Sequence, residues 1–390
     1  MTTEPRRLDL SLYFSREPVI LALLTGLAAV SFLAVTGLSR FHEAQQESLA
    51  VEWSSRGLDD LNAGRYTVAI PEFRTALEYA RDSDDYQLSL AQALLGMHRT
   101  DEAYAYLINL WDRQPENGVV NLELARIAVE RNQTDRALRF YHNALYATWP
   151  ANQETARRKA RLELIDYLLR ISARTQAESE LIALGANVGE DAAQQEHLGE
   201  LLLRVQDNGR ALAAFRESLK LEPENPAADA GAGLAAFNLG MYPAAERYLQ
   251  GAVAAAPGDA ASEALLKATR SVLRLDPYRP QISAAERDRI VVDAFNAAGD
   301  RLKACGALND AQTKQEPPAT GSNAPLNDLA EQWTRMQPQI SVRVLRANQD
   351  LANTAMNLAL QIESQKNTGC GGTTEADKAL ALVAKLHEEN

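Results

Sequence analysis

Positive charge is in deficit here: Lys and Arg number 40 against 52 Asp and Glu, a net charge of −12 over 390 residues. Nucleic-acid binding needs a basic stripe to meet phosphates, and none is visible, so that partner class is excluded. Cysteine is nearly absent too. Cys305 and Cys370 form no CxxC, which argues against a redox or zinc site. The five histidines, His42, His98, His142, His197 and His387, are scattered without metal-ligand spacing. There is no HExxH, no GxSxG, no GxxxxGK[ST] loop and no GxGxxG. Gly231-Ala232-Gly233 lies within a helical pattern and reads as packing. Adjacent carboxylates such as Asp59-Asp60 point different ways on a helix. The chain therefore reads as a non-enzyme, with no catalytic residue, cofactor, metal site or small-molecule substrate expected.

Long β-branched alternating runs are missing as well. Ala, Leu, Glu, Gln and Arg dominate, which makes the fold class all-α. With 46% hydrophobic and 24% charged residues, the chain buries a sizeable core and is not disordered as a whole.

What is present is a period. Ala69, Ala103 and Ala137 are 34 apart (103−69, 137−103), and after a gap of 40 so are Ala177, Ala211 and Ala245. Twelve residues before each stands a small or apolar residue: Gly57, Ala91, Ala125, Ile165, Gly199 and Gly233. Four after each stands a bulky one: Phe73, Leu107, Tyr141, Leu181, Phe215 and Leu249. Pro115, Pro223 and Pro257 follow at twelve after, with Pro150 one late. A small residue lets a second helix approach closely, residues four apart share one helix face, and proline ends a unit. Gly64 and Gly240 sit where a turn between helices is needed.

This pattern resembles the tetratricopeptide (TPR) repeat, a 34-residue helix–turn–helix. Six units fit, at about 50–83, 84–117, 118–151, 158–191, 192–225 and 226–259, and residues 259–275 read as a terminal capping helix. The fourth is placed mainly by spacing, and the family's first-helix tryptophan is absent apart from Trp53. The resemblance implies a TPR α-solenoid over 50–275 whose first helices line a groove for a protein or peptide. The matching slots here include Leu58 and Asn62, Gln92, Leu122, Arg126 and Glu130, Asp166 and Arg170, Glu200 and Arg204, and Phe237 and Asn238. Arg126, Arg170 and Arg204 read either as pairing with Glu130, Asp166 and Glu200 or as a ladder gripping a partner's carboxylates. The carboxylate clamp of chaperone-binding TPR domains needs Lys and Asn where Ser54 and Leu58 stand, so that specificity is not implied. Trp149 to Glu154 carries the six-residue excess between the third and fourth units, as a loop insertion or a hinge.

Ahead of the repeats, Pro18 to Ser39 runs for 22 residues without a charge. As a helix it spans about 33 Å, enough to cross a bilayer. Residues 18–39 read as a transmembrane helix in preference to a cleaved signal peptide, whose apolar region is shorter. Three arginines precede the span and Arg40 follows it. That bias favours a cytoplasmic segment at 1–17 and a bulk outside the cytoplasm, in a bacterial periplasm.

After Leu275 the register is lost. Ser283-Ala284-Ala285-Glu286 is a capping box opening a helix to about Ala304. A flexible loop is expected near 312–327, a long helical pattern from Asp328 to Gln365 bent or interrupted around Pro338, and a last helix at about Thr374–Glu389. Together they make a small C-terminal bundle over 283–390. Cys305 and Cys370 lie here at adjacent helix ends. In a translocated domain they read as a disulfide, the other reading being two unrelated buried thiols. The expected role is a membrane-anchored scaffold or adaptor that binds a protein partner. Envelope proteins of this plan include translocon-associated chaperones and pilus or secretion assembly factors. A fixed structural subunit of a membrane complex is the alternative.

Overall fold

The structure, a computed structural model, describes residues 16–149, 154–280, 282–308, 324–365 and 374–388. The fold is all-α: among the described residues no strand forms, and Asn117 with Thr148 makes an isolated bridge. The chain divides into two compact units, Met1–Leu164 and Ile165–Asn390.

The first unit holds α1 (Arg16–Asn62), α2 (Tyr66–Tyr79), α3 (Asp84–Gly96), α4 (Thr100–Arg113), α5 (Gly118–Glu130) and α6 (Thr134–Tyr146). The division falls within α7 (Glu154–Arg170). The second unit continues with α8 (Arg174–Gly185), α9 (Ala192–Arg204), α10 (Asn208–Leu221), α11 (Pro226–Asn238), α12 (Tyr242–Ala255) and α13 (Ala260–Leu275). Six antiparallel pairs result, from α1 with α2 to α11 with α12. All six reference alanines are 0% exposed, and the bulky residues four positions on are at most 3% exposed. The period is therefore the core of each pair.

The turns repeat as closely as the core. In every pair one turn residue takes a positive φ: Gly64 (72°), His98 (56°), Asn132 (56°), Ser172 (60°), Gln206 (66°) and Gly240 (72°). Each lies five residues before its alanine. Each donates its N–H to a carbonyl three residues back, and the next residue donates five back, as in Ser172 to Leu169 and Ala173 to Leu168. That double bond pattern closes a helix C-terminus and needs one left-handed residue. Only two of the six are glycine, so the turn was visible in the sequence at only two units. Glycine at position 172 is expected to raise stability by about 0.5–1 kcal/mol by removing the Cβ penalty. Asn132→Gly should gain less, because asparagine tolerates this conformation. Urea midpoints of the two variants check the difference.

Capping side chains begin the next helices. Ser83, Asn117, Asp191, Asn225 and Asp259 each accept a backbone N–H from the first turn that follows. After α6, Trp149 donates from its ring to Ala144 O at 2.8 Å and packs against Gly118. Residues 150–153, most of the insertion, lie outside the described residues, as do residues 1–15.

α1 joins the apolar span to the first repeat helix without a break. Its large apolar side chains stand uncovered, with Leu21 65% and Phe32 69% exposed. It is the one helix among the described residues that is long and apolar enough to cross a membrane.

Beyond the repeats lie α14 (Ala284–Ala304), α15 (Ala324–Met336), α16 (Val342–Ala347), α17 (Gln349–Ser364) and α18 (Glu375–Glu388). Ser283 accepts the Glu286 N–H at 3.1 Å, which starts α14 as its capping box requires. The helical pattern over Asp328–Gln365 is interrupted around Pro338 as expected, and a second, unexpected break makes it three helices. Pro338 sits in a 3-10 turn, Gln337–Gln339, and Asn348 breaks the chain again, its side chain accepting the Leu351 N–H at 3.1 Å. The loop expected to reach 327 ends sooner: helix begins at Ala324 because Leu326, 1% exposed, belongs to the core. Proline is tolerated in such a first turn. The rest of that loop, residues 309–323, lies outside the described residues. Phe295 and Trp333 stack at 5.2 Å in a core that also takes in Val272 and Leu275 of α13, so bundle and last repeats share one hydrophobic cluster.

Candidate functional site

The expected groove positions fall on the first helix of each pair, and all but Leu122 are at least partly exposed. In the first unit these are Leu58 and Asn62 on α1, Gln92 on α3, and Leu122, Arg126 and Glu130 on α5. Leu58 is 43% exposed and offers apolar surface. A hydrogen-bond chain crosses three helices here. Gln92 Nε2 donates to Glu123 Oε1 at 3.3 Å, and Arg126 Nη1 donates to the same oxygen at 3.0 Å. Arg126 also forks onto both oxygens of Glu163 on α7, at 2.9 and 2.7 Å. Bonding to Glu163 pushes the guanidinium further above its ordinary pKa, with burial acting the other way. A bidentate pair of this kind is geometrically rigid. Arg126 is locked.

Glu130, one of its expected partners, accepts instead from Thr100 Oγ1 at 3.2 Å. Sequence reasoning missed Glu123 and Glu163. The signal was there: Glu123 is one turn back on the same helix, and Glu163 lies 37 residues on, one turn short of the 40-residue step. Leu122, on the same helix, is 6% exposed and belongs to the core.

In the second unit the positions are Asp166 and Arg170 on α7, Glu200 and Arg204 on α9, and Phe237 and Asn238 on α11. Arg204 Nη1 donates to Asp166 Oδ1 at 3.1 Å, with side chains 52% and 62% exposed. Such a surface pair contributes only about 0.2–1 kcal/mol and exchanges easily. Glu200 meets His197 at 3.4 Å rather than an arginine. Arg170 lies over the Tyr167 ring, 5.5 Å from its centroid. Asn238 donates to Asn208 Oδ1 at 3.0 Å, and half-buried Phe237 meets the Tyr242 ring edge-on at 5.3 Å. Leu234, 38% exposed, adds apolar surface. The three arginines thus sit in three different environments, and Arg170 and Arg204 are the two that can change partners. Among the described residues, no group of three or more His, Cys, Asp or Glu gathers to hold a metal ion.

Family profiles of the tetratricopeptide repeat match residues 55–117 and 197–260, and a second such profile matches 94–148. These stretches of the chain are tetratricopeptide repeats. Neither profile reaches the fourth pair of this chain, which the left-handed Ser172 and the buried Ala177 identify. Solved structures similar to it include YrrB, a TPR protein with an unusual peptide-binding site, at 16% identity over 50% of this chain and 97% of that one, TM-score 0.41. Another is PilF of Pseudomonas aeruginosa, at 15% identity over 57% and 99%, TM-score 0.42. A third is the C-terminal part of a TPR repeat-containing protein from Cytophaga hutchinsonii, at 15% identity over 61% and 92%, TM-score 0.43. No curated protein sequence matches the chain.

Proposed function

We propose that this chain is a membrane-anchored TPR scaffold that docks a segment of a partner protein against the first helices of its repeats. The observation that carries the anchored reading is α1, one 47-residue helix whose uncovered apolar half runs directly into the first repeat. Side chains such as Leu21 and Phe32 need a cover that the described residues do not supply, and a bilayer is the natural one. The stretch from Ser39 to Ala50 is about 16 Å of helix, so the first repeat stands close to the membrane surface. With the arginine bias before the span, the N-terminus is cytoplasmic and the repeats face an extracytoplasmic space, the periplasm of a bacterium.

Docking is reversible and uses apolar positions such as Leu58, Leu234 and Phe237, with carboxylates of the partner meeting Arg170 and Arg204. Arg126 stays with Glu163. In-cell photo-crosslinking from positions 170 and 204 should trap a defined protein, while position 216 on α10 should not. Equal products from all three positions, or none from 170 and 204, would remove the groove reading. Stoichiometric subunits surviving gentle-detergent purification would favour a fixed component of a membrane complex instead.

An extracytoplasmic bulk also makes Cys305 and Cys370 a disulfide. Cys305 is 8% exposed at the end of α14, and Arg301 on the preceding turn donates to Gln365 O at 3.5 Å, bringing the chain after α17 toward it. Cys370 lies outside the described residues. Denatured protein from the oxidised preparation should show no free thiol, and two after reduction. Labelling of both cysteines without reductant would count against the pairing and against the orientation.

A further inference from the structure

α18 turns one face to the neighbouring helices through Glu375, Lys378, Ala379, Leu382, Lys385 and Leu386, a spacing that keeps all six on one side. Two recesses open along that face. One, of about 320 Å³, lies against α13 between Ala264, Ala268, Lys378 and Leu382. The other, of about 360 Å³, lies against the turn of the sixth pair, between Phe237, Leu239, Tyr242, Lys385 and Leu386. Leu382 is the shared wall of both. The second is held in shape by a close fit: a Cβ at Gly240 would lie 2.7 Å from Leu386 Cδ1. Its wall includes exposed apolar surface, with Leu239 41% exposed.

The polar groups at this face are unequal. Glu375 is neutralised by Lys267 on α13 at 2.5 Å. Lys378 and Lys385 are both exposed, one beside each recess. They stand seven residues apart, about 10.5 Å along the helix. In a chain of net charge −12 this is a local cationic and apolar track, two recesses and two ammonium groups in the same rhythm.

We propose that this track receives an acidic amphipathic segment of a partner protein, with apolar side chains in the two recesses and carboxylates two helical turns apart on Lys378 and Lys385. The inference rests on reading the chain as a protein-binding module, and it adds a second surface with a stated partner chemistry. Charge complementarity sets the choice of occupant: a segment bearing lysines would be repelled at both ends.

The test uses the full chain in detergent micelles. The probe is a fluorescein-labelled 15-residue peptide with leucines at positions 1, 4, 8 and 11 and glutamates at 5 and 12, against the same peptide with lysines at 5 and 12. Fluorescence anisotropy should show the glutamate peptide bound about tenfold more tightly than the lysine peptide. K378E/K385E, two exposed changes that leave the fold intact by circular dichroism, should reverse that preference. Equal binding of both peptides, or a preference that survives in K378E/K385E, overturns the proposal. Self-association of the wild-type chain that disappears in K378E/K385E overturns it too, because the track would then belong to a second copy. Crosslinks from positions 170 and 204 that persist in K378E/K385E keep the fate of the repeat groove separate from this result.

Discussion

Alanine in place of Phe215 is expected to lower the unfolding free energy by about 4 kcal/mol, among the largest effects of any single change in the repeats. The ring is 1% exposed, and two glycines hold the room it occupies. A Cβ on Gly199 of α9 would lie 2.8 Å from the ring, and one on Gly231 of α11 would overlap it. Three consecutive helices therefore meet on one side chain. When the ring is removed, neighbours without side chains cannot move in to refill the space, so the cavity stays near full size. Gly231→Ala alone should destabilise by overpacking. In the Phe215→Ala background the same methyl should instead recover part of the loss. Urea midpoints of the single and double variants measure this change of sign, and additive losses would show that ring and glycine do not share the site.

Arg301→Leu is expected to cost about 3–5 kcal/mol at pH 8. Arg301 on α14 meets Glu363 of α17 at 3.3 Å and Asp377 of α18 at 3.6 Å, with the two carboxylates 0% and 7% exposed. One cation thus serves two buried anions, and its loss leaves both uncompensated. Burial pushes the Glu363 carboxyl up to about 7, with Arg301 opposing the rise and Asp377 adding to it. Because the folded value lies above the unfolded value of about 4.5, the folded state holds this proton more firmly. The stability that Glu363 contributes is fully present below about pH 4.5 and is lost as pH rises through about 7. The penalty of Arg301→Leu should accordingly be smaller at pH 5 than at pH 8. Glu363→Gln should flatten the decline of stability between pH 5 and pH 8, since its side chain stays neutral and Asp377 remains beside Arg301. Urea titrations across that range measure both slopes, and an unchanged slope in Glu363→Gln would remove Glu363 as its source.

The period of the alanines was enough to place six helix pairs because it reports packing, a local and repeated demand. A second helix can lie close to a first only where small residues face bulky ones. That demand recurs every 34 residues and is written into Ala69, Ala103 and their equivalents. The turns were less legible. His98, Ser172 and Gln206 adopt the conformation of Gly64 without its chemistry, because the packing of the helices on either side imposes it. The helix that carries a polar side chain such as Arg126 was legible, and the side chain's pairing was not. First-helix slots follow from the repeat, whereas the bond of Arg126 to Glu163 depends on how far α7 is shifted against α5.

At the two ends of the chain the balance differs. The apolar run at 18–39 needed nothing but composition to stand out, because crossing hydrocarbon is a demand on length and hydropathy alone. Its fusion with the first repeat into one helix emerged only in three dimensions, since no glycine or proline marks a joint and none is needed. In the bundle, the sequence displayed helices and a pair of cysteines. It gave no sign of Arg301 between Glu363 and Asp377, or of Leu386 on Gly240. Those contacts join residues scores to more than a hundred positions apart, and no periodic pattern encodes a meeting that happens once. Repetition is readable in one dimension because each unit restates the same local physics; single long-range encounters are settled only by the folded chain.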